Sequence, residues 1–137
     1  MGKSAGAGHC GAMTWYNVRL ELARTAEFPN GSPSRCYLLR LPIDTHGMID
    51  ERTLRAEPAR ATVRRFWPNE ADLSGYVMRT SRGWALSYRP GEDDDETVFH
   101  LETHPLRLGE YLTLTEPNGQ QLPFRVASLK PASALAA

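Results

Sequence analysis

Apolar and polar side chains alternate along most of the chain. Between Thr14 and Leu22, residues Tyr16, Val18, Leu20 and Leu22 share one parity, and Asn17, Arg19 and Glu21 share the other. That is the pattern of a strand with one buried and one wet face. It is cleaner than the helical spacing that could be drawn through 21–27. Tyr37, Leu39, Leu41 and Ile43 repeat the alternation against Cys36, Leu38, Arg40 and Pro42, which predicts a second strand ending near Pro42. The intervening Phe28-Pro29-Asn30-Gly31-Ser32-Pro33 has loop composition, because glycine permits positive φ and each proline removes a ladder donor. Asp44-Thr45-His46-Gly47 reads as a turn. Asp50 can then cap a short helix near 50–56, with Glu51 in its first turn and Pro58 bounding it.

From Arg60 the period is two again. Strands are expected over 61–67, 75–80, 84–88, 97–102, 111–115 and 122–126. Ser81-Arg82-Gly83 and Pro117-Asn118-Gly119-Gln120 mark hairpins, and Asn-Gly between alternating runs is the strongest short-range signal of that kind. Pro123 must sit where its missing N–H is not needed, at an edge or a bulge. The sum is a mainly β chain of about eight short antiparallel strands and one short helix, a barrel or a sandwich. The barrel is preferred, because closure removes exposed strand edges. One β-rich domain is expected over 13–130, after a flexible leader at 1–12 and before a flexible tail at 131–137.

Composition changes this picture little. The 137 residues include 16 Lys plus Arg and 16 Asp plus Glu, so no net field draws the chain to nucleic acid or acidic lipid, and such a partner needs a local patch. No apolar run approaches the twenty or so residues of a membrane span, so no membrane partner is expected. Two cysteines, Cys10 and Cys36, make no disulfide framework, which fits a reducing compartment and predicts a cytoplasmic protein.

Three groups of residues could carry chemistry. Arg60, Arg64, Arg65, Arg79, Arg82 and Arg89 lie in a stretch with only two acids, Glu70 and Asp72, and with Phe66, Trp67, Tyr76, Trp84 and Tyr88. Single-stranded nucleic acid is bound by such cationic grooves with aromatic platforms. Arg60, Arg64, Arg65, Trp67, Arg79 and Arg82 are therefore the candidate ligand-binding set. The competing reading puts Trp84, Leu86 and Tyr88 on one core face and leaves the arginines solvated. Arg60 and Arg64 also have the Arg-x-x-x-Arg spacing of cyclic-dinucleotide-binding PilZ domains. However, Val77 stands where that family's second motif has glycine, so membership does not follow.

The second group is His100-Leu101-Glu102-Thr103-His104, in which His100 and Glu102 could ligate a metal from one strand face. His104 cannot join them without a bend, since the outer pair would be about 13 Å apart in an extended strand. The third is the acidic run 92–96, which lacks the alternating ligands and central glycine of a calcium loop. The terminal Ala-Leu-Ala-Ala is similar to the end of the bacterial tag added to stalled translation products, which implies a degradation signal. No catalytic constellation or cofactor motif is visible. The leading expectation is a non-enzymatic binding or interaction module without a cofactor. The alternatives are a nucleic-acid or nucleotide binder and a metal-dependent enzyme using His100 and Glu102.

Overall fold

Every strand lies beside its successor in sequence, and the last returns to the first. The computed structural model describes residues 13–88, 96–99 and 105–132, the side chains of 96–99 excepted. The leader 1–12, residues 92–95 of the acidic run 92–96, the segment 100–104 with the candidate metal ligands His100 and Glu102, and the Ala-Leu-Ala-Ala end lie outside the described residues. The strands are β1 (Thr14–Leu22), β2 (Ser32–Ile43), β3 (Thr62–Phe66), β4 (Leu73–Thr80), β5 (Gly83–Ser87), β6 (Glu96–Phe99), β7 (Tyr111–Thr115) and β8 (Gln121–Pro131). They form a closed antiparallel barrel in chain order, sealed where Val18 pairs with Leu129 and Leu22 with Phe124. Helix α1 (Glu51–Ala56) and a 3-10 turn (Pro58–Arg60) fill the β2–β3 connection. Asp50 caps α1 through Oδ1, which accepts from the Thr53 amide at 3.2 Å.

In the strands whose side chains are described, alternation puts one parity into a common interior. Val18, Leu20, Tyr37, Leu39, Leu41, Val63, Val77, Trp84, Leu86, Leu114, Phe124 and Val126 are all at most 2 % exposed. Burying each such aliphatic side chain is worth roughly 1.5–3 kcal/mol, so this filled interior is what holds the barrel closed. Trp84 and Leu86 do share the core face, as the competing reading of the aromatics required. Gly75 is needed where β4 and β5 press together: a Cβ there would stand 2.0 Å from the Ser87 carbonyl oxygen.

The expected strand limits need correcting in three places. β2 begins at Ser32, inside the expected loop, and runs through Ile43. The pairing jumps from Glu21–Cys36 to Leu22–Ser32, so 33–35 form a bulge that carries Pro33 without a broken ladder. β8 runs to Pro131, and the Ala132 amide donates to the Trp15 carbonyl, which extends the paired chain into the expected tail. β4 starts at Leu73 rather than Gly75. Pro42 and Pro123 cost no ladder bond. The carbonyl of each faces a side where the neighbouring strand has ended, accepting from the Asp50 and Ala23 amides respectively. At 116–120 the Asn-Gly signal becomes a three-residue loop: the Gly119 amide returns to the Glu116 carbonyl, and only Gly119 has positive φ.

The two barrel ends differ. At the far end Ile49, Leu54 and Leu106, from the β2–β3 and β6–β7 connections, join the core cluster. Those connections are tied together where the Leu106 amide donates to the Gly47 carbonyl at 2.7 Å. The near end is ringed by the connections 23–31, 67–72 and 116–120, and there charged side chains, Arg35, Arg65, Glu70 and Glu116, stand beside the aromatic rings of Phe28 and Trp67.

Candidate functional site: the near mouth of the barrel

Arg65 shares the inward parity of Val63 and leaves the core at the end of β3. Its side chain is 11 % exposed. Nη1 donates to Glu70 Oε1 at 2.8 Å and Nε to the Tyr37 hydroxyl at 3.2 Å, while Nη2 lies 3.6 Å from Glu116 Oε2. The guanidinium also stacks 4.2 Å from the Trp67 ring centroid. The chain brings Glu70 to this place by a tight turn. Pro68 presets its own φ, Asn69 takes φ 65°, and the Glu70 amide bonds back to the Trp67 carbonyl.

Trp67 forms the floor of the mouth. Its ring meets Tyr37 edge-on at 6.3 Å and Phe124 at 6.4 Å, and Tyr37 and Phe124 stand 5.1 Å apart. Arg35, on the β2 bulge, reaches in above it. Its guanidinium lies 4.2 Å from the Phe28 ring centroid and 5.9 Å from that of Trp67, and Nη1 donates to Ser32 Oγ at 3.1 Å. Arg35 has no carboxylate partner among the described residues. Phe28 is held by a compact loop, in which the Thr25 amide donates to the Phe28 carbonyl and Thr25 Oγ1 accepts from the Phe28 amide.

Between these groups lies a cleft of about 270 Å³, lined by Arg35, Arg65, Trp67, Glu70, Glu116 and Gln120 among others. Glu116 is the unusual member. Its side chain is 15 % exposed, and Oε2 is buried without a hydrogen-bond donor among the described residues. At 3.6 Å the Arg65 guanidinium offsets its charge but does not complete its hydrogen bonding. A buried carboxylate oxygen so placed loses solvation that the fold does not fully return.

Of the six arginine and aromatic candidates, the structure brings only Arg65 and Trp67 together. Arg60 lies at the far end, paired with Glu57 at 3.0 Å and stacked 4.5 Å from Trp15. Arg79 faces inward near that end, 3.5 Å from Glu51 and 5.6 Å from the Trp84 ring. Arg64 is on the outer wall over Phe66 at 4.9 Å, and Arg82 is exposed in the β4–β5 turn. The residues missed by sequence reasoning are Arg35, Tyr37 and Glu116. A signal existed for Arg35: like Arg65 beyond Val63, it holds the core parity of Tyr37 near a strand end, where a charged residue must meet a mouth. Glu116 gave none, since it follows β7 in a turn.

Two titrations are perturbed on the outer wall. The hydrogen bond from Arg19 to Glu21 at 2.8 Å holds the Arg19 guanidinium even more firmly protonated than usual. Burial pushes the Cys36 thiol up, against an opposing pull from Arg19. No group of three His, Cys, Asp or Glu side chains is placed to hold a metal among the described residues. No helix among them is long and apolar enough to cross a membrane. No family model matches the chain, and comparison with curated proteins and with solved structures finds no significant match.

Proposed function

We propose that the protein is a non-enzymatic binding module whose near mouth takes a small ligand carrying both a hydrogen-bond donor and an anionic group, as a short amino acid does. One observation carries the reading: the buried, donor-less Oε2 of Glu116 shares a cleft with Arg35, whose guanidinium has no carboxylate partner among the described residues. An ammonium on Glu116 and a carboxylate on Arg35 would complete both, and charge-assisted bonds of this kind are the stronger ones. Trp67 and Phe28 would wall the ligand's short apolar part. The volume is slightly below the usual range for drug-sized ligands, which favours a compact molecule. The buried Cys36 fits a reducing compartment, and we place the protein in the cytoplasm on that ground.

The test is calorimetric titration with glycine, β-alanine and γ-aminobutyrate, with propionate and ethylamine as single-charge controls. A zwitterion should bind at least tenfold more tightly than either control, and Arg35→Gln and Glu116→Gln should each weaken it about tenfold or more. Equal binding of the controls, or indifference to both substitutions, would remove the reading.

A further inference from the structure

The outer wall beside the near mouth carries a second set of cations that the fold does not use. Glu21, Arg125 and Tyr111 are direct cross-strand neighbours on β1, β8 and β7, and all three point outward, since Leu22, Phe124 and Leu112 hold the buried parity. Directly paired residues on one face have Cβ atoms roughly 5 Å apart, so the three side chains form a row across the wall. Arg24, just past the end of β1, lines the same groove. Together with Asn30 and Ser32 these groups line an open groove of about 660 Å³.

The charges in this groove are unequal in their commitments. Glu21 is already held by Arg19, which also donates to the Pro33 carbonyl at 3.0 Å. The side chains of Arg125 and Arg24 make no hydrogen bond, ion pair or ring stack among the described residues. Tyr111 is 60 % exposed, one of the largest apolar surfaces left in water among the described residues. The loop that shapes the groove is fixed tightly against the strand end: Gly31 has φ 77°, and a Cβ there would stand 2.7 Å from the Leu22 carbonyl oxygen. A rigid groove with two uncommitted guanidinium groups beside one exposed aromatic ring suits a phosphate next to a planar ring. Arginine forks match phosphate oxygens, and a base stacks on an aromatic face.

We propose that this groove binds a nucleotide, with Arg125 and Arg24 on the phosphate and the base stacked on Tyr111. The groove and the near-mouth cleft have different polar groups, although Leu22 lines both and Ser32 of the groove accepts from Arg35, and the reading does not rest on the near-mouth proposal. A free nucleotide and a single strand share this chemistry, and the experiment distinguishes them.

Binding of 5′-AMP, adenosine, inorganic phosphate and a short oligothymidylate is measured calorimetrically at low salt, on the wild-type chain and on Arg125→Gln, Arg24→Gln, Tyr111→Ala and Arg52→Gln. Two different arginines keep the test open should one variant fail to fold. The proposal predicts that 5′-AMP binds, that adenosine and phosphate alone are each at least tenfold weaker, and that either groove arginine substitution costs about tenfold. Tyr111→Ala should cost at least about fivefold, and Arg52→Gln, on the exposed face of α1 at the far end, should change nothing. Tighter binding of the oligothymidylate with the same dependence on Arg125 also supports the proposal and identifies a strand as the source. Adenosine or phosphate binding as tightly as 5′-AMP, indifference to Arg125 and Arg24, or no binding of 5′-AMP or oligothymidylate would overturn it.

Discussion

The two ends of the barrel solve the same geometric problem in opposite ways. Eight strands leave an interior that side chains just fill, so each end must be closed by its connections or left open to water. At the far end the closure is apolar: Leu54 from α1, Ile49 and Leu106 continue the core outward, and hydrogen bonds between the two connections lock them. At the near end the inward positions are Arg65 and Trp67, with Tyr37 and Phe124 beneath them, and the connections contribute Glu70 and Glu116. The first arrangement serves stability. The second leaves a buried carboxylate oxygen incompletely bonded at an open cleft, an arrangement that stability alone would not favour.

The difference can be broken most sharply at the far end. Leu54→Ala removes the side chain that anchors α1 to the core, and denaturant unfolding should show a loss of about 2–5 kcal/mol, with near-mouth ligand binding unchanged in the folded fraction. A loss below 1 kcal/mol would mean that α1 merely rests on the barrel. At the near end, Arg65→Met leaves Glu116 without its only charge partner among the described residues. The cost should be about 2 kcal/mol, below the range for a fully buried pair because Glu70 is half in water. Adding Glu116→Leu should recover most of that loss while abolishing binding. Failure of the double variant to recover would show that the polar network serves the fold rather than a ligand.

Smaller effects sharpen the contrast. Asp50→Ala deletes the N-cap of α1 and should lower the unfolding midpoint by an amount equivalent to about 1 kcal/mol. On the wall between the ends, burial holds the Cys36 thiol above its ordinary range. The fold therefore disfavours the thiolate. That contribution to stability is intact below the unfolded thiol's value, roughly 8.5, and is lost as pH rises beyond it. Peptide mapping after brief alkylation at pH 8 should find Cys36 unmodified, and modification at the rate of a free thiol would contradict the buried placement.

Much of the barrel was legible because its rule is local. Residue parity alone separates Val18, Leu20 and Leu22 from Arg19 and Glu21, and the same rule carries through Tyr37, Val63, Trp84 and Leu114. The bulge at 33–35 was hidden by its composition: Ser32 and Pro33 read as loop, and only pairing with β1 recovers them for a strand. The site was less legible. Arg65 and Trp67 were singled out for their types, yet grouped with Arg60, Arg64, Arg79 and Arg82, which the barrel distributes between its far end, its outer wall and a hairpin turn. Closeness in sequence is a poor guide to closeness around a closed sheet. Arg35, Arg65 and Glu116 meet only because β2, β3 and the β7–β8 turn open at the same end, and topology decides that.

The three tryptophans are natural reporters of this account. Trp15 lies at the far end under Arg60, Trp84 in the sealed interior, and Trp67 on the floor of the near mouth. Their indole N–H signals can be followed by nitrogen-correlated NMR during titration with the zwitterion panel. A ligand at the near mouth should shift the Trp67 indole in proportion to saturation and leave that of Trp15 where it was. Saturable shifts at Trp15 with none at Trp67 would contradict the claim that the near mouth is the binding end.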